Sequence, residues 1–487
     1  MKRKLSKKTI SLSILLFVLN VILLFAMIFL LLEVNEGLNV INYIRVNYNR
    51  VLFVASGVII LSMLMYAYFY FECTEILTDM SRIVECFVLL DVALFLSFII
   101  GQPNIIDPNA RPFAFLALMA ATLLGRREAV FLNMVYALML FIIDINFTAD
   151  ALGSNMWVSC ACLLVAFCAG MTAVFITPAI KSRIQSILVV FILLVPTELI
   201  IGVMEILFVE DKGANLIALA YGALGSFFSV LGYMIILPVF EVMFSELTVF
   251  RLRELTSDDA KLIKKLKDEA PGTYNHSVVV AQLAQACATA IGEDGELARA
   301  AAYYHDMGKL KNPEMFTENQ SDYNMHNELS PELSADIIRS HTRDGAQLIR
   351  KNHLPEFFAD CAVQHHGTMP IKYFYAKALK MSDGEINIAN YSYAGPTPRT
   401  KIAAILMIVD ASEAASRSLK DRSPKAVEEL VTSLIEERLD MDQFADCDIT
   451  MRELTIITHT VAAVLSGVYH TRISYPKLKI SPKGQSR

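Results

Sequence analysis

The sequence predicts an all-α protein in two parts: a multi-span helical membrane domain of about eight spans, then an all-α soluble bundle. Three observations point there. Hydrophobic residues make up 55% of the 487-residue chain and mean hydropathy is +0.46, both above the range of ordinary soluble proteins. Long uncharged apolar runs fill the first half, whereas from about residue 246 charges return at the density of a soluble domain. In that second half apolar residues recur at helical spacing, with no sustained alternation of the strand type.

Lys2, Arg3, Lys4, Lys7 and Lys8 precede an apolar run from about Ile10 to Leu32. The run is longer than a signal-peptide core and no small-residue cleavage site follows it, so residues 1–33 read as an uncleaved anchor. Seven further runs, at about 51–71, 84–101, 112–124, 128–147, 155–178, 186–209 and 215–240, fill a multi-span domain over 34–245. The run 112–124 is short for a span, and Arg126 and Arg127 divide it from the next.

Eight spans place both termini on one side. That side would hold the N-terminal cations, Arg82, Arg126, Arg127, Lys181, Arg183, Arg251 and Arg253; the other would hold Arg45, Arg50, Arg111 and Lys212. The asymmetry predicts that both termini and the soluble domain are cytosolic. Asp91 and Asp144 lie within or at the ends of spans and read as interfacial acids. The external loops are short, about twenty residues at most, and leave no room for a folded sensor. A net charge of −6 excludes the basic footprint of a protein that binds nucleic acid polymers. The eight cysteines show no CxxC pair and no disulfide pattern, which fits a reducing compartment.

Residues 246–270 read as a linker, with a charged amphipathic helix over 246–268. The bundle is expected over 271–475, from helices at 278–291, 296–306, 330–341, 400–419, 424–439 and 451–470, with a tail at 476–487.

The chemistry centres on His305-Asp306-Met307-Gly308-Lys309. Neighbouring residues on a helix point about 100° apart. An adjacent His-Asp pair therefore serves two neighbouring ions better than one, the imidazole on the first and the carboxylate reaching the second. Seven of the nine histidines fall between 276 and 366, and His365-His366 repeats the adjacency. Candidate ligands are His276, His305, Asp306, His341, His365, His366 and Asp410. Imidazoles with two carboxylates suit iron, manganese or zinc and not calcium. Asp410 in its apolar run is costly without a cationic partner, and a metal is such a partner.

The order His276, His305-Asp306, His341, His365-His366, Asp410 resembles the HD superfamily of metal-dependent phosphohydrolases. GTYNHS (272–277), AYYHDMGKLKNPEMFTENQ (302–320), LSPELSADIIRSH (329–341), QHHGT (364–368) and YAGPTP (393–398) further resemble the bacterial membrane-bound, multi-span HD phosphodiesterases, which hydrolyse cyclic di-AMP to the linear dinucleotide. The resemblance implies two divalent ions, manganese or iron. His276, His305, Asp306 and Asp410 would hold one, His341, His365 and His366 the other, with Asp306 bridging and a metal-activated hydroxide attacking phosphorus in line.

It further implies a catalytic role for Asp306 and Lys309, with substrate contacts from Lys309, His326, Tyr393 and Gly395. Lys309, about one turn beyond His305, would meet a phosphate oxygen. The implied setting is the bacterial cell membrane and its lipid bilayer, and helical linkers of this kind often pair into homodimers. Rival expectations are a phosphohydrolase acting on cyclic di-GMP or a different nucleotide, or a membrane receptor that binds nucleotide without turnover. The chain departs from the family at Asn275, where a histidine is frequent, and at Ser392 and Ile402, where an arginine and an acid are frequent. It also lacks the extracellular domain that usually follows the first span.

Overall fold

The computed structural model describes residues 6–36, 40–101, 106–145, 156–209, 212–320, 323–381, 385–421 and 423–468. Lys2, Arg3, Lys4, the end of the soluble domain and the 476–487 tail lie outside them. Among the described residues all regular structure is helical, apart from one isolated antiparallel bridge between Pro370 and Ser392. The chain divides into two compact units, Met1–Phe250 and Arg251–Arg487.

The first unit is a membrane-associated helical assembly. Six of its helices are long and apolar enough to cross a bilayer: Lys7–Leu30, Tyr48–Phe71, Met80–Ile100, Met156–Ala179, Ile184–Phe208 and Leu216–Met243. They correspond to six of the eight apolar runs. The run 112–124 is the helix Phe115–Leu123, nine residues and so about 14 Å long, far short of a hydrocarbon core of about 30 Å. It is buried on all sides, with Phe115, Leu116, Ala117, Leu118, Met119 and Ala120 each no more than 1% exposed. The run 128–147 begins as the helix Arg126–Ile143, with Arg126, Arg127 and Glu128 in its first turn. Hydropathy reports how apolar a run is and not whether its neighbours are lipid or protein, so a core helix of the unit passes for a span.

Asp144 is not an interfacial acid. Its carboxylate accepts from both terminal nitrogens of Arg111, at 2.9 Å from Nη2 to Oδ1 and through a shorter Nη1 contact. The two side chains are 3% and 1% exposed. Gly101 makes room for this pair, since a Cβ there would lie 1.9 Å from Arg111 Nε. Removing one partner of a buried ion pair strands the other charge, at about 3–5 kcal/mol. Asp144→Ala is therefore expected to lower the melting temperature of the detergent-solubilised protein clearly, and an unchanged melting temperature would show that the pair is not needed.

The segment predicted as one linker helix is two, Val249–Leu255 and Lys261–Glu269. Thr256 and Ser257 between them bond back to the carbonyls of Leu252 and Glu254, the local competition with helix that such residues offer. Asp258 is held by Lys267 and by the Tyr274 hydroxyl.

The second unit is built from Pro271–Ile291, Gly295–Tyr304, Pro331–Lys351, Glu356–Gln364, Lys401–Ser416, Pro424–Asp440 and Met451–Val468, with shorter pieces between. Side-chain caps set several starts: Asp294 accepts from Glu296 and Leu297, Ser330 from Leu333, and Thr400 from Ala403. The helix Lys401–Ser416 is apolar almost all round and buried at every residue from Ile402 to Asp410, so it forms the axis of the bundle.

Candidate metal centre

Five separate pieces of chain deliver the seven candidate ligands. His276 lies early in Pro271–Ile291, His341 midway along Pro331–Lys351, and Asp410 on the central helix Lys401–Ser416. His305 and His365 are the residues that cap Gly295–Tyr304 and Glu356–Gln364 at their C-terminal ends. The His-Asp pair thus straddles a helix end and does not lie within a helix. Asp306 leaves the helical conformation (φ −104°, ψ 15°), and Met307–Lys311 wind into a tighter turn. Gly308 in that turn presses against the helix bearing His341, where a Cβ would fall 1.9 Å from the His341 carbonyl oxygen and 2.6 Å from the Gly345 nitrogen.

The ligand atoms gather into two groups, His276, His305, Asp306 and Asp410 in one and His341, His365 and His366 in the other, each with its atoms within 4.8 Å of one another. Asp306 joins them with one oxygen apiece. Its Oδ2 is 3.2 Å from His305 Nε2 and 3.7 Å from His276 Nε2, while Oδ1 is 3.4 Å from His341 Nε2 and 3.7 Å from His365 Nε2. Asp410 also faces both ways, with Oδ1 at 2.9 Å from His276 Nε2 and Oδ2 at 3.8 Å from His366 Nδ1.

The donor chemistry fits divalent cations. His305, His341 and His365 each turn Nδ1 to a backbone carbonyl three residues earlier, at 2.6, 2.6 and 2.9 Å. A carbonyl only accepts, so Nδ1 carries a proton and Nε2 is the nitrogen turned inward, a lone pair wherever the ring is neutral, as in His341 and His365. Two such lone pairs, on His341 and His365, lie 3.3 Å apart. His305 Nε2 and Asp306 Oδ1 are buried without a hydrogen-bond partner, while Asp306 Oδ2 has the Lys309 ammonium at 2.8 Å. Buried acceptors facing one another are unfavourable unless positive charge lies between them.

The electrostatics agree. Burial pushes the Asp306 carboxyl up, but His305, Lys309 and His341 outweigh it and hold the group well below the usual range. Burial likewise opposes ionisation of Asp410, and His276, His305 and His366 reverse it. His305 resists burial and keeps its proton up to about 10, because Asp306 and Asp410 stabilise the charge. His366 falls to about 3, because burial, with His341 and Lys309 beside it, outweighs the pull of Asp410 and Asp306. A divalent ion would displace the His305 proton while compensating the same two carboxylates.

Lys309 reaches Asp306 Oδ2 at 2.8 Å and Glu318 Oε1 at 2.7 Å, so its ammonium is tied to two carboxylates. Its neighbour in sequence reading, His326, is turned elsewhere: Nε2 donates to the Met315 carbonyl at 2.8 Å and the ring packs on Phe374. The Tyr393 ring stacks on His366 at 4.3 Å and meets His341 edge-on. Gly395 has φ +78°, a conformation that glycine tolerates, and lines a separate groove with Arg339 and Arg343. A cleft of about 350 Å³ opens over the metal-ligand groups, lined by His276, Lys309, Glu318, His366, Asp410, Glu413 and Arg417 among others.

Glu318, Glu413 and Arg417 were not among the residues singled out from sequence. A signal existed for Glu413, which lies three residues after Asp410 and so on the same helical face. Glu318 offered none, because its partners Lys309 and Thr273 meet it only through the folded chain.

The model of the HD domain family matches residues 273–415, the stretch that holds all seven candidate ligands, so the chain carries an HD domain there. Within that class the chain is similar to the cyclic-di-AMP phosphodiesterase PgpH. It is 45% identical to the Listeria monocytogenes protein over 264 residues and 44% identical to the Bacillus subtilis protein over 257. These alignments cover 54% and 53% of this chain but only 37% and 36% of the relatives, so the chain spans little more than a third of their length. A crystal structure of the L. monocytogenes PgpH HD domain in complex with cyclic-di-AMP matches 44% of this chain and 99% of that one, at 47% identity and a TM-score of 0.42.

Proposed function

We propose that this chain is a membrane-anchored, metal-dependent phosphodiesterase that hydrolyses cyclic di-AMP to the linear dinucleotide. The observation that carries the reading is Asp306, one carboxylate shared between two histidine-rich groups, within a segment 45% identical to a cyclic-di-AMP phosphodiesterase. His276, His305, Asp306 and Asp410 would hold one divalent ion and His341, His365 and His366 the other, with manganese or iron matching the imidazole-rich donors. Held there, two such ions would supply a water of lowered pKa and neutralising charge for the phosphodiester.

The chain's own groups do the rest. Asp306 sets the spacing of the two groups and its negative charge balances theirs. Lys309, fixed by Asp306 and Glu318 at the cleft, offers its ammonium to a phosphate oxygen. Tyr393 shapes the wall beside His366. Water adds to phosphorus, one P–O ester bond breaks, and the released ribose oxygen takes a proton. His326 acts at a distance: it holds Met315, whose neighbour Phe316 packs against His341 and Lys309.

The chain is placed in the bacterial cell membrane with both termini and the HD domain cytosolic. With six candidate spans the termini again share a side, and the five N-terminal cations, Arg82, Lys181, Arg183, Arg251 and Arg253 on that side still outnumber Arg45, Arg50, Arg111, Arg126, Arg127 and Lys212 on the other, which supports this. Pairing of two copies through the linker is part of the same reading.

The test uses the full chain in lipid nanodiscs with Mn²⁺ and cyclic di-AMP, following products by chromatography. Linear dinucleotide that disappears after EDTA and returns with added Mn²⁺ is expected. Tight binding of cyclic di-AMP without any turnover would replace this reading with that of a receptor. Faster turnover of a different cyclic dinucleotide would move the substrate.

A further inference from the structure

We propose that Glu413 is a positioning residue for the His276 ligand group, held in place by Arg417. The inference rests on the two-metal reading above. His305, His341 and His365 are oriented by backbone carbonyls of their own helices. His276 is different. Its Nδ1 lies 2.7 Å from Glu413 Oε2, on a helix 137 residues away in sequence, while its Nε2 faces Asp410 at 2.9 Å. An ionised carboxylate only accepts, so Nδ1 carries a proton, and Nε2, beside Asp410, is the nitrogen that would give its lone pair to an ion held between them.

Glu413 has little freedom of its own, being only 1% exposed. Its other oxygen, Oε1, takes Arg417 Nε at 2.9 Å and Nη2 at 2.8 Å, across one helical turn. The arginine compensates a carboxylate that burial would otherwise penalise, and it keeps Oε2 turned toward His276. The line Arg417–Glu413–His276 therefore ends at one ligand group, and a full negative charge makes His276 a stronger donor than a carbonyl would. No such charged brace appears for the other group among the described residues. Loss of Glu413 should accordingly weaken one ion and spare the other.

The experiment is a Mn²⁺ titration of the full chain in nanodiscs, by competition with a chromophoric chelator. Glu413→Gln keeps size and an acceptor but removes the charge. Parent protein is expected to take up two ions. Glu413→Gln is expected to weaken one step by about 10–100-fold and leave the other unchanged. Arg417→Met should weaken the same step by less, and excess Mn²⁺ should restore kcat in both. A His341→Ala background, which retains the His276 group, should show the Glu413→Gln effect on its remaining step. Two steps as tight as in the parent would overturn the inference, as would equal weakening of both steps with a lowered metal-free melting temperature. A parent chain that takes up no Mn²⁺ would instead sink the metal reading on which the inference rests.

Discussion

Asp306→Asn should lower cyclic di-AMP hydrolysis by at least about 10³-fold, roughly 4 kcal/mol of transition-state stabilisation, in a chain that still inserts into membranes. The substitution is nearly isosteric. What it removes is the negative charge and one of the two acceptor oxygens, and those oxygens face different ligand groups, Oδ2 toward His305 and His276 and Oδ1 toward His341 and His365. An amide offers one oxygen and an NH₂ that repels a cation. Metal content should fall together with turnover, and Lys309 should lose a partner now 2.8 Å away. Product chromatography and metal analysis on one preparation check both. Turnover within a few-fold of the parent would exclude Asp306 as the shared ligand.

Gly308→Ala should be nearly as damaging, for a reason unrelated to charge. The added methyl would stand 1.9 Å from the His341 carbonyl oxygen and 2.6 Å from the Gly345 nitrogen, both backbone atoms that no side-chain rotation can move. The turn bearing Asp306 and Lys309 must then separate from the helix bearing His341, and the two ligand groups with it. Overpacking of this kind typically costs about 1–3 kcal/mol, occasionally more. A lower melting temperature and loss of one or both Mn²⁺ are expected. Gly292→Ala is the control: that glycine closes its helix at φ +85° with nothing within 4 Å, so the penalty is backbone strain of about 1–2 kcal/mol, remote from metal uptake. Equal metal affinity in Gly308→Ala and parent would show that the close approach is not needed to hold the site.

Much of this site was legible in the residues themselves. Imidazoles and carboxylates are common ligands for such ions, and the concentration of histidines between His276 and His366 is visible without a fold. The helices were legible too, because apolar residues at helical spacing and caps such as Ser330 and Thr400 act locally. Boundaries shifted where local competition decided them, as at Thr256 and Ser257, which break the linker helix.

The tertiary structure decided whatever depends on partners far apart in the chain. The sequence by itself determined an all-helical protein with an apolar first half and seven candidate metal ligands in the second. It did not distinguish Phe115–Leu123, enclosed by its own unit, from a helix that faces lipid, because both are equally apolar. Nor did it pair Arg111 with Asp144, 33 residues on, or give Glu413 a role toward His276, 137 residues away. Charge and hydropathy are properties of a residue and are carried in the sequence. Burial and pairing are properties of two residues at once, and only the folded chain brings both to the same place.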